Sequence, residues 1–461
     1  MTESGFETHV NSGERCHLVG IGGVSMSPLA EILCGMGVFV TGSDMNDSPA
    51  VDRLRAMGID VTIGHFAETV RGAGFIIRTA AARDDNAEIA AARGLGIPVF
   101  ERAEAWGHIM RGYKNAVCIA GAHGKTTTTS MLTHILLAAQ RDPTIMIGGT
   151  LPSLGSGYRV GGGDVIVLES CEYYNSFHSF SPTVAVILNV DADHLDFFRD
   201  LDDLKSSFMK FASLVPKDGY IVCNGDDANT MDALAPLGRE LFTFGLGAGI
   251  LRVRGVNAHA EGRTSSIDVL YDGEPFCRLT LQIPGLHNLK NALAATAAAI
   301  ILGIPVLAIK DGLHGYTGVG RRFEFKGTFN GADVYDDYAH HPGELHALLD
   351  AVSALGYRRV ILAFQPHTFS RTKALFGDFV SELSRPDLTF LAEIYAAREK
   401  NNIGITSGDL ASAVSGARCY PSLSALAGAV AAAAGKGDIV LTVGAGDIYK
   451  VGEDLVNGVY V

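Results

Sequence analysis

Basic charge is scarce in this chain. Its 461 residues carry 37 Lys and Arg against 50 Asp and Glu, a formal net charge of −13. A nucleic-acid binder needs a basic surface to meet phosphates, so no nucleic-acid partner is expected. Cysteines number seven, at 16, 34, 118, 171, 223, 277 and 419, and no C-x-x-C pair occurs. An odd, unpatterned set argues against a disulfide scaffold and points to reduced thiols in a cytoplasmic protein. The first fifteen residues, MTESGFETHVNSGER, lack an apolar signal core. Long apolar runs are missing too, with one exception, ALAATAAAIILGIPVLAI at 292–309. Alanine is only weakly apolar, and Gly303 and Pro305 break the run. A buried helix, a turn at GIP and the start of a second helix are therefore expected, not a membrane span. No repeat of 20–50 residues is visible, which argues against a solenoid.

What is present is alternation. Short apolar runs such as CHLVGIGG (16–23), VFVTGSD (38–44) and FIIRTAA (75–81) are separated by helical patterns such as SPLAEILCGMG (27–37) and DSPAVDRLRAMG (47–58). In the second of these, Ser48 is an N-cap and Pro49 opens the first turn. The pattern restarts at AVCIAGAHGKTTTTSMLTHIL (116–136) and again near GVGRRFEFKG (318–327). Strands alternating with helices indicate parallel sheets with crossover helices. The fold class expected is α/β, with three domains in series at 1–112, 113–317 and 318–461. The length agrees with about three domains.

The chemistry gathers where strands end. GAHGKT (121–126) follows an apolar strand and opens a helix, but its spacing is shorter than the usual phosphate loop G-x-x-x-x-G-K-[ST]. Gly121 and Gly124 let the backbone approach phosphate oxygens, and Ala122, His123 and Thr127 complete the loop and first turn. Lys125 supplies a positive charge for β/γ-phosphates, and the Thr126 hydroxyl suits Mg²⁺. Glu169, in VLESCEYYNSF (167–177), ends the next strand and offers a hard oxygen ligand. Asn189, Asp193 and His194 cluster after a third strand, and a His at that sheet edge is a ligand candidate. GLHNLKN (285–291) carries His287, Asn288 and Asn291, amides and an imidazole suited to an adenine edge; Asn288 as an N-cap is the plainer alternative. The first domain has VGIGGVSMS (19–27), with Gly20, Gly22 and Gly23 before a helix and Ser25 where a dinucleotide fingerprint has its third glycine. Ser27 opens the helix, and Asp44 lies at the distance of a ribose-binding acid. Glycines before a helix bind a diphosphate of any kind. In the last domain Arg321 and Arg322 are adjacent arginines after a glycine, and Asp337, His341, His367 and Arg371 lie where apolar strands end.

Taken in order, G-x-H-G-K-T, H-N-x-x-N, R-R-F-E, D-D-Y-A-H-H-P and F-Q-P-H-x-x-S-R-T resemble the Mur ligase family, the amide ligases of peptidoglycan precursors. The match runs from about residue 15 to 450. The resemblance implies a Rossmann-like UDP-sugar domain, a central P-loop ATPase-type domain and a C-terminal Rossmann-like domain that brings the amino acid. It implies ATP and Mg²⁺, with Thr126, Glu169 and His194 on the metal and Lys125, His194, Arg321, Arg322 and Asp337 in catalysis. His341, His367 and Arg371 would bind the amino acid, and Gly20, Gly22, Gly23, Ser25, Ser27 and Asp44 the UDP-sugar. GIGG-x-S-M-S, DYAHHP and FQPHTFSRT are similar to the branch that joins L-alanine to UDP-N-acetylmuramate. The chain departs from the family's E-A-D-E-S-D run, which here reads ESCEYYNS, and has Thr368 where many relatives carry a basic residue. Two other readings stand beside it: ligation of a whole recovered peptide to the same UDP-sugar, and a non-catalytic NAD-binding scaffold. A bacterial monomer or homodimer is expected.

Overall fold

In the computed structural model of the chain, the described residues are 5–79, 81–192, 197–261, 264–353, 355–397 and 399–459. They divide into two compact units. One comprises Met1–Val190, Lys205–Thr243 and Ala297–Pro305, the other Asp191–Leu204, Phe244–Thr296 and Val306–Val461.

The first unit holds a five-stranded sheet, all parallel, in the spatial order Asp60–Ile63, Val40–Asp44, Cys16–Val19, Phe75–Arg78, Val99–Glu101. Chain order reverses beside Cys16–Val19, and such a switch point opens a crevice at the carboxyl ends of the strands. Gly20 lies there with φ +79°, and a Cβ on it would sit 2.7 Å from the Thr79 side chain. The helix Ser27–Gly35 follows, with no side-chain cap at its start. In the next helix, Pro49–Ala56, Ser48 is the N-cap, its side chain accepting from the Val51 N–H, as the sequence indicates.

The same unit contains six strands in the order Tyr220–Asn224, Val184–Ile187, Asn115–Ala120, Val165–Glu169, Thr144–Leu151, Ser156–Arg159, parallel except for the last pair. Asn115–Ala120 is central and almost wholly buried, which is why it reads as a continuous apolar run. The helix Lys125–Ala138 that follows contains four consecutive threonines. β-Branched hydroxyl residues suit a helix poorly unless the hydroxyl finds a partner. Thr129, Ser130 and Thr133 each donate to the carbonyl four residues back, at 2.7–2.8 Å.

The second unit contains three antiparallel strands, Val253–Glu261, Thr264–Tyr271 and Glu274–Leu281, with the helix Val306–His314 packed on the third. It also contains a six-stranded sheet in the order Glu324–Phe329, Ala332–Asp337, Ile439–Val443, Val360–Phe364, Leu388–Ala392, Arg418–Tyr420, parallel but for the first pair. Successive residues feed opposite cores. Tyr335, Leu362, Leu391 and Leu441 belong to one, and Val334, Ile361, Phe390 and Val440 to the other. That two-residue period with both faces covered is what a doubly wound sheet requires. The run at 292–309 falls in the helices Leu286–Ile301 and Val306–His314, parted by the turn at Gly303, φ +66°. Among the described residues no helix is long and apolar enough to cross a membrane.

Candidate active site

The loop at 121–124 is held by the strand beside it. Gly121 has φ +146°, and a Cβ there would meet Leu188 at 3.0 Å and the Asn189 nitrogen at 3.2 Å. Gly124, φ +84°, precedes the helix, which has no side-chain cap, and an uncapped helix start of this kind suits an anion. Asn189 clamps the loop at two points. Its Oδ1 accepts from the His123 N–H at 2.8 Å and its Nδ2 donates to the His123 carbonyl at 3.0 Å. The Ala122 N–H also donates to the Asn189 carbonyl, at 3.2 Å.

Lys125 Nζ donates to the carbonyls of Gly121 and Ala122 and to the Glu172 carboxylate, 3.0 Å away. Burial would lower its pKa, but the Glu172 carboxylate, with smaller contributions from Cys171 and Glu169, outweighs burial and raises it well above the usual lysine range. Glu172 is 1% exposed. In the altered ESCEYYNS segment it therefore serves as the counter-ion of the loop lysine. Thr126 Oγ1 donates to Glu169 Oε1 at 3.0 Å, and Glu169 Oε2 accepts from the Gly148 N–H at 2.6 Å. A Cβ on Gly148 would lie 2.6 Å from that carboxylate, so only glycine lets the neighbouring strand come this close. Two hard oxygen donors side by side at a phosphate loop fit Mg²⁺. Thr127 lies buried in the first helical turn. Asp193 and His194 lie outside the described residues.

The glycine loop of the five-stranded sheet is tied down as closely. The Gly20 and Ile21 N–H groups both donate to the Ser43 carbonyl, at 2.8 and 2.9 Å. The Gly22 N–H donates to Asp44 Oδ2 at 2.8 Å, and the Gly23 N–H to the Gly20 carbonyl at 3.1 Å. Asp44 thus shapes the loop. Ser27 Oγ donates back to the Ile21 carbonyl at 2.9 Å. Ser25 accepts from Arg102 through its hydroxyl and from Trp106 Nε1, at 3.1 Å, through its carbonyl. Arg102 was not singled out in the sequence; its one signal there is a cation just after the apolar run IPVF.

In the second unit, Asn288 and Asn291 are buried at the start of the helix Leu286–Ile301, and His287 is exposed. Asn288 Nδ2 donates to the Pro284 carbonyl at 2.7 Å, so its amide braces the preceding turn and is not an N-cap. Arg321 reaches Asp336 at 2.9 Å and the carbonyls of Gly446 and Gly444 at 2.9 and 2.6 Å, between the rings of Tyr338 and Tyr449. Arg322 lies over Tyr338 and 3.8 Å from Glu344. Asp337 accepts from the N–H groups of Phe323 and Ala339, at 2.7 and 2.8 Å. These contacts make Arg321 and Asp337 braces of the loops around them.

His367 and Arg371 come together, with Arg371 Nη1 3.3 Å from His367 Nδ1. The His367 ring stacks on Tyr395, centroids 5.7 Å apart, and meets His340 edge to face. His341 is buried in the neighbouring loop, its Nδ1 accepting from the Gly343 N–H at 3.2 Å. Glu399 accepts from the N–H groups of Phe369 and Ser370, at 2.7 and 3.0 Å, and so fixes the start of the turn that bears Arg371. Neither Tyr395 nor Glu399 carries a motif that would single it out in the sequence.

Known proteins match this arrangement along the whole chain. The family models described as Mur ligase family, catalytic domain; Mur ligase middle domain; and Mur ligase, glutamate ligase domain match residues 15–114, 119–299 and 321–446. The chain belongs to the Mur ligase family. It is 43% identical to the UDP-N-acetylmuramate–L-alanine ligase of Caldanaerobacter subterraneus subsp. tengcongensis, over 97% of this chain and 98% of that relative. The crystal structure of UDP-N-acetylmuramate-alanine ligase from Thermotoga maritima superposes with a TM-score of 0.80 at 28% identity, covering 96% of this chain and 99% of that one. A murein peptide ligase from Psychrobacter arcticus shares the fold, with a TM-score of 0.69 at 22% identity over 97% and 98% of the two chains.

Proposed function

We propose that this chain is the ATP-dependent ligase that joins L-alanine to the lactyl carboxylate of UDP-N-acetylmuramate, giving UDP-N-acetylmuramoyl-L-alanine, ADP and phosphate in peptidoglycan precursor synthesis. The observation that carries the reading is the Lys125–Thr126–Glu169 group at an uncapped helix start, in a chain whose near-full-length relatives are named for this reaction.

An amide forms from a carboxylate only after activation. The carboxylate oxygen attacks the γ-phosphorus, ADP leaves, and an acyl phosphate results. The alanine nitrogen then attacks the acyl carbon, and phosphate departs with the former carboxylate oxygen. The first step brings two anions together. The loop N–H groups hold the β/γ-phosphates, and Lys125 offsets their charge. Thr126 and Glu169, with His194 as the resemblance implies, would hold Mg²⁺, which would supply further neutralisation of phosphate charge. Orienting three substrates contributes on the order of 7–11 kcal/mol. The glycine loop at 20–23 takes the UDP diphosphate, and His341, His367 and Arg371 the amino acid.

Phosphate release from ATP, measured with UDP-N-acetylmuramate and each amine in turn, tests the reading. L-alanine should support the fastest release. A preference for a recovered tripeptide would favour the peptide-ligase reading, and no release with any amine would refute a ligase. Glu169→Gln should raise the Mg²⁺ concentration for half-maximal rate by about tenfold, the loss of one charged ligand. An unchanged Mg²⁺ dependence would put the metal elsewhere. Calorimetry should show UDP-N-acetylmuramate binding in preference to NAD, because Ser25 replaces the third fingerprint glycine and is engaged by Arg102 and Trp106. Tighter NAD binding would overturn the assignment of the first domain.

A further inference from the structure

Beneath the glycine loop lies a carboxylate that the reaction does not use. Glu88, near the start of the helix Ala87–Gly94, is 0% exposed. Burying a carboxylate is costly unless its oxygens are satisfied. Here each oxygen has two partners. Oε1 accepts from Thr69 Oγ1 at 2.6 Å and lies 3.2 Å from His17 Nε2. Oε2 accepts from Ser43 Oγ at 2.6 Å and lies 2.7 Å from His65 Nδ1. His17 in turn reaches Thr41 Oγ1 through Nδ1, at 3.0 Å. Burial alone would raise the Glu88 pKa, but the donors from His17, Ser43 and Thr69 outweigh it and leave the pKa lowered, which keeps the group ionised.

The partners are not scattered. His17 lies on Cys16–Val19, Ser43 on Val40–Asp44, and His65 and Thr69 on the segment after Asp60–Ile63. Packing stability alone would not require a charge here, since apolar side chains of similar volume often serve as well. What distinguishes this network is its outlet. The Ser43 whose hydroxyl Glu88 holds is the residue whose carbonyl receives both the Gly20 and Ile21 N–H groups. The next residue, Asp44, receives the Gly22 N–H. One buried carboxylate thereby fixes the strand end on which the whole glycine loop hangs.

We propose that Glu88 is a positioning residue for UDP-N-acetylmuramate, acting through Ser43 on the Gly20–Gly22 loop; this rests on the assignment of that loop to the UDP diphosphate. Glu88→Gln keeps shape but offers one acceptor oxygen in place of two, so the four partners cannot all remain satisfied. Ser43→Ala removes the connection between network and loop, together with the 3.0 Å contact of Ser43 Oγ with His65 Nδ1, and leaves three partners on Glu88. For Glu88→Gln the Kd and KM for UDP-N-acetylmuramate should rise about tenfold, with kcat and the KM values for ATP and L-alanine within about twofold. Ser43→Ala should act in the same direction, and the double variant should be no worse than Glu88→Gln alone, because both break one path. An unchanged Kd in both variants, additive effects, or equal losses across all three substrates would overturn the proposal. Should Glu88→Gln fail to fold, the Kd of Ser43→Ala and the spread of its losses across the three substrates still decide, an unchanged Kd or equal losses overturning the proposal. Gly20→Val separates the underlying assignment, since its Cβ is forced against Thr79 at φ +79°. If it abolishes UDP-sugar binding while Glu88→Gln and Ser43→Ala do not weaken it, only the role of Glu88 fails. If none of the three affects that binding, the loop assignment fails as well.

Discussion

Replacing Lys125 with alanine should lower kcat at saturating substrates by at least about a hundredfold, while the Kd for UDP-N-acetylmuramate stays within about twofold. Single donors aimed at developing charge are worth roughly 3 kcal/mol in such sites, and the Lys125 ammonium is held inside the loop itself, against the Gly121 and Ala122 carbonyls. The variant also has a stability cost. Glu172, 1% exposed, would lose the cation 3.0 Å from its carboxylate. Breaking a buried pair from one side typically costs about 3–5 kcal/mol, because the remaining charge is stranded. The double variant Lys125→Ala/Glu172→Gln should therefore regain much of the melting temperature and none of the turnover. Recovery of turnover along with stability would show that Lys125 acts through folding and not on phosphate. Pre-steady-state phosphate release and thermal unfolding on the same preparations separate the two effects.

Arg371→Lys should raise the KM for L-alanine by about tenfold to a hundredfold and leave the KM for ATP within about twofold. A guanidinium grips a carboxylate with two parallel hydrogen bonds, and a lysine offers a point charge without that fork. Charge-assisted hydrogen bonds contribute about 1.5–3 kcal/mol each, which sets the size of the effect. The surroundings favour a fixed guanidinium. His367, 3.3 Å from Nη1, is stacked on Tyr395, and Glu399 pins the turn through the Phe369 and Ser370 N–H groups. Selectivity should be uneven. A missing methyl is worth only about 1–3 kcal/mol, so glycine should be a slower substrate, not an excluded one. Steady-state kinetics with each substrate varied in turn test both points. Equal rises in the two KM values would remove Arg371 from the amino-acid site.

The parallel strands were legible because burial on both faces writes them as short apolar runs ended by a glycine, an acid or another polar residue. CHLV, AVCIA, VIVLE and VAVI are examples. The helices at 27–35 and 49–56 were legible from Pro and Ser at their starts. The antiparallel strands over 253–281 were not. Thr264–Tyr271 alternates in burial, but Val253–Glu261 does so only as far as Val256, where the register shifts, and is exposed beyond it, so the hairpin as a whole shows no sustained apolar period. Loop chemistry was legible where local spacing encodes it, as in GAHGKT. Partnerships across the chain were not: Glu172 lies 47 residues from Lys125, and Glu88 lies 71 from His17 and 45 from Ser43. The fold alone brings these groups together. The same holds for Arg321 and Asp337, which the R-R-F-E and D-D-Y-A-H-H-P motifs single out but whose bonds to carbonyls, to Asp336 and to backbone N–H groups the motifs do not show.

The most direct test of ligation through an acyl phosphate follows one oxygen atom. UDP-N-acetylmuramate labelled with ¹⁸O in the lactyl carboxylate is turned over with ATP and L-alanine, and the released phosphate is weighed by mass spectrometry. One ¹⁸O should appear in each phosphate formed from fully labelled substrate, with ADP unlabelled. Unlabelled phosphate, or label in AMP, would mean that the carboxylate is not activated at the γ-phosphorus, and would contradict the role given to Lys125, Thr126 and Glu169.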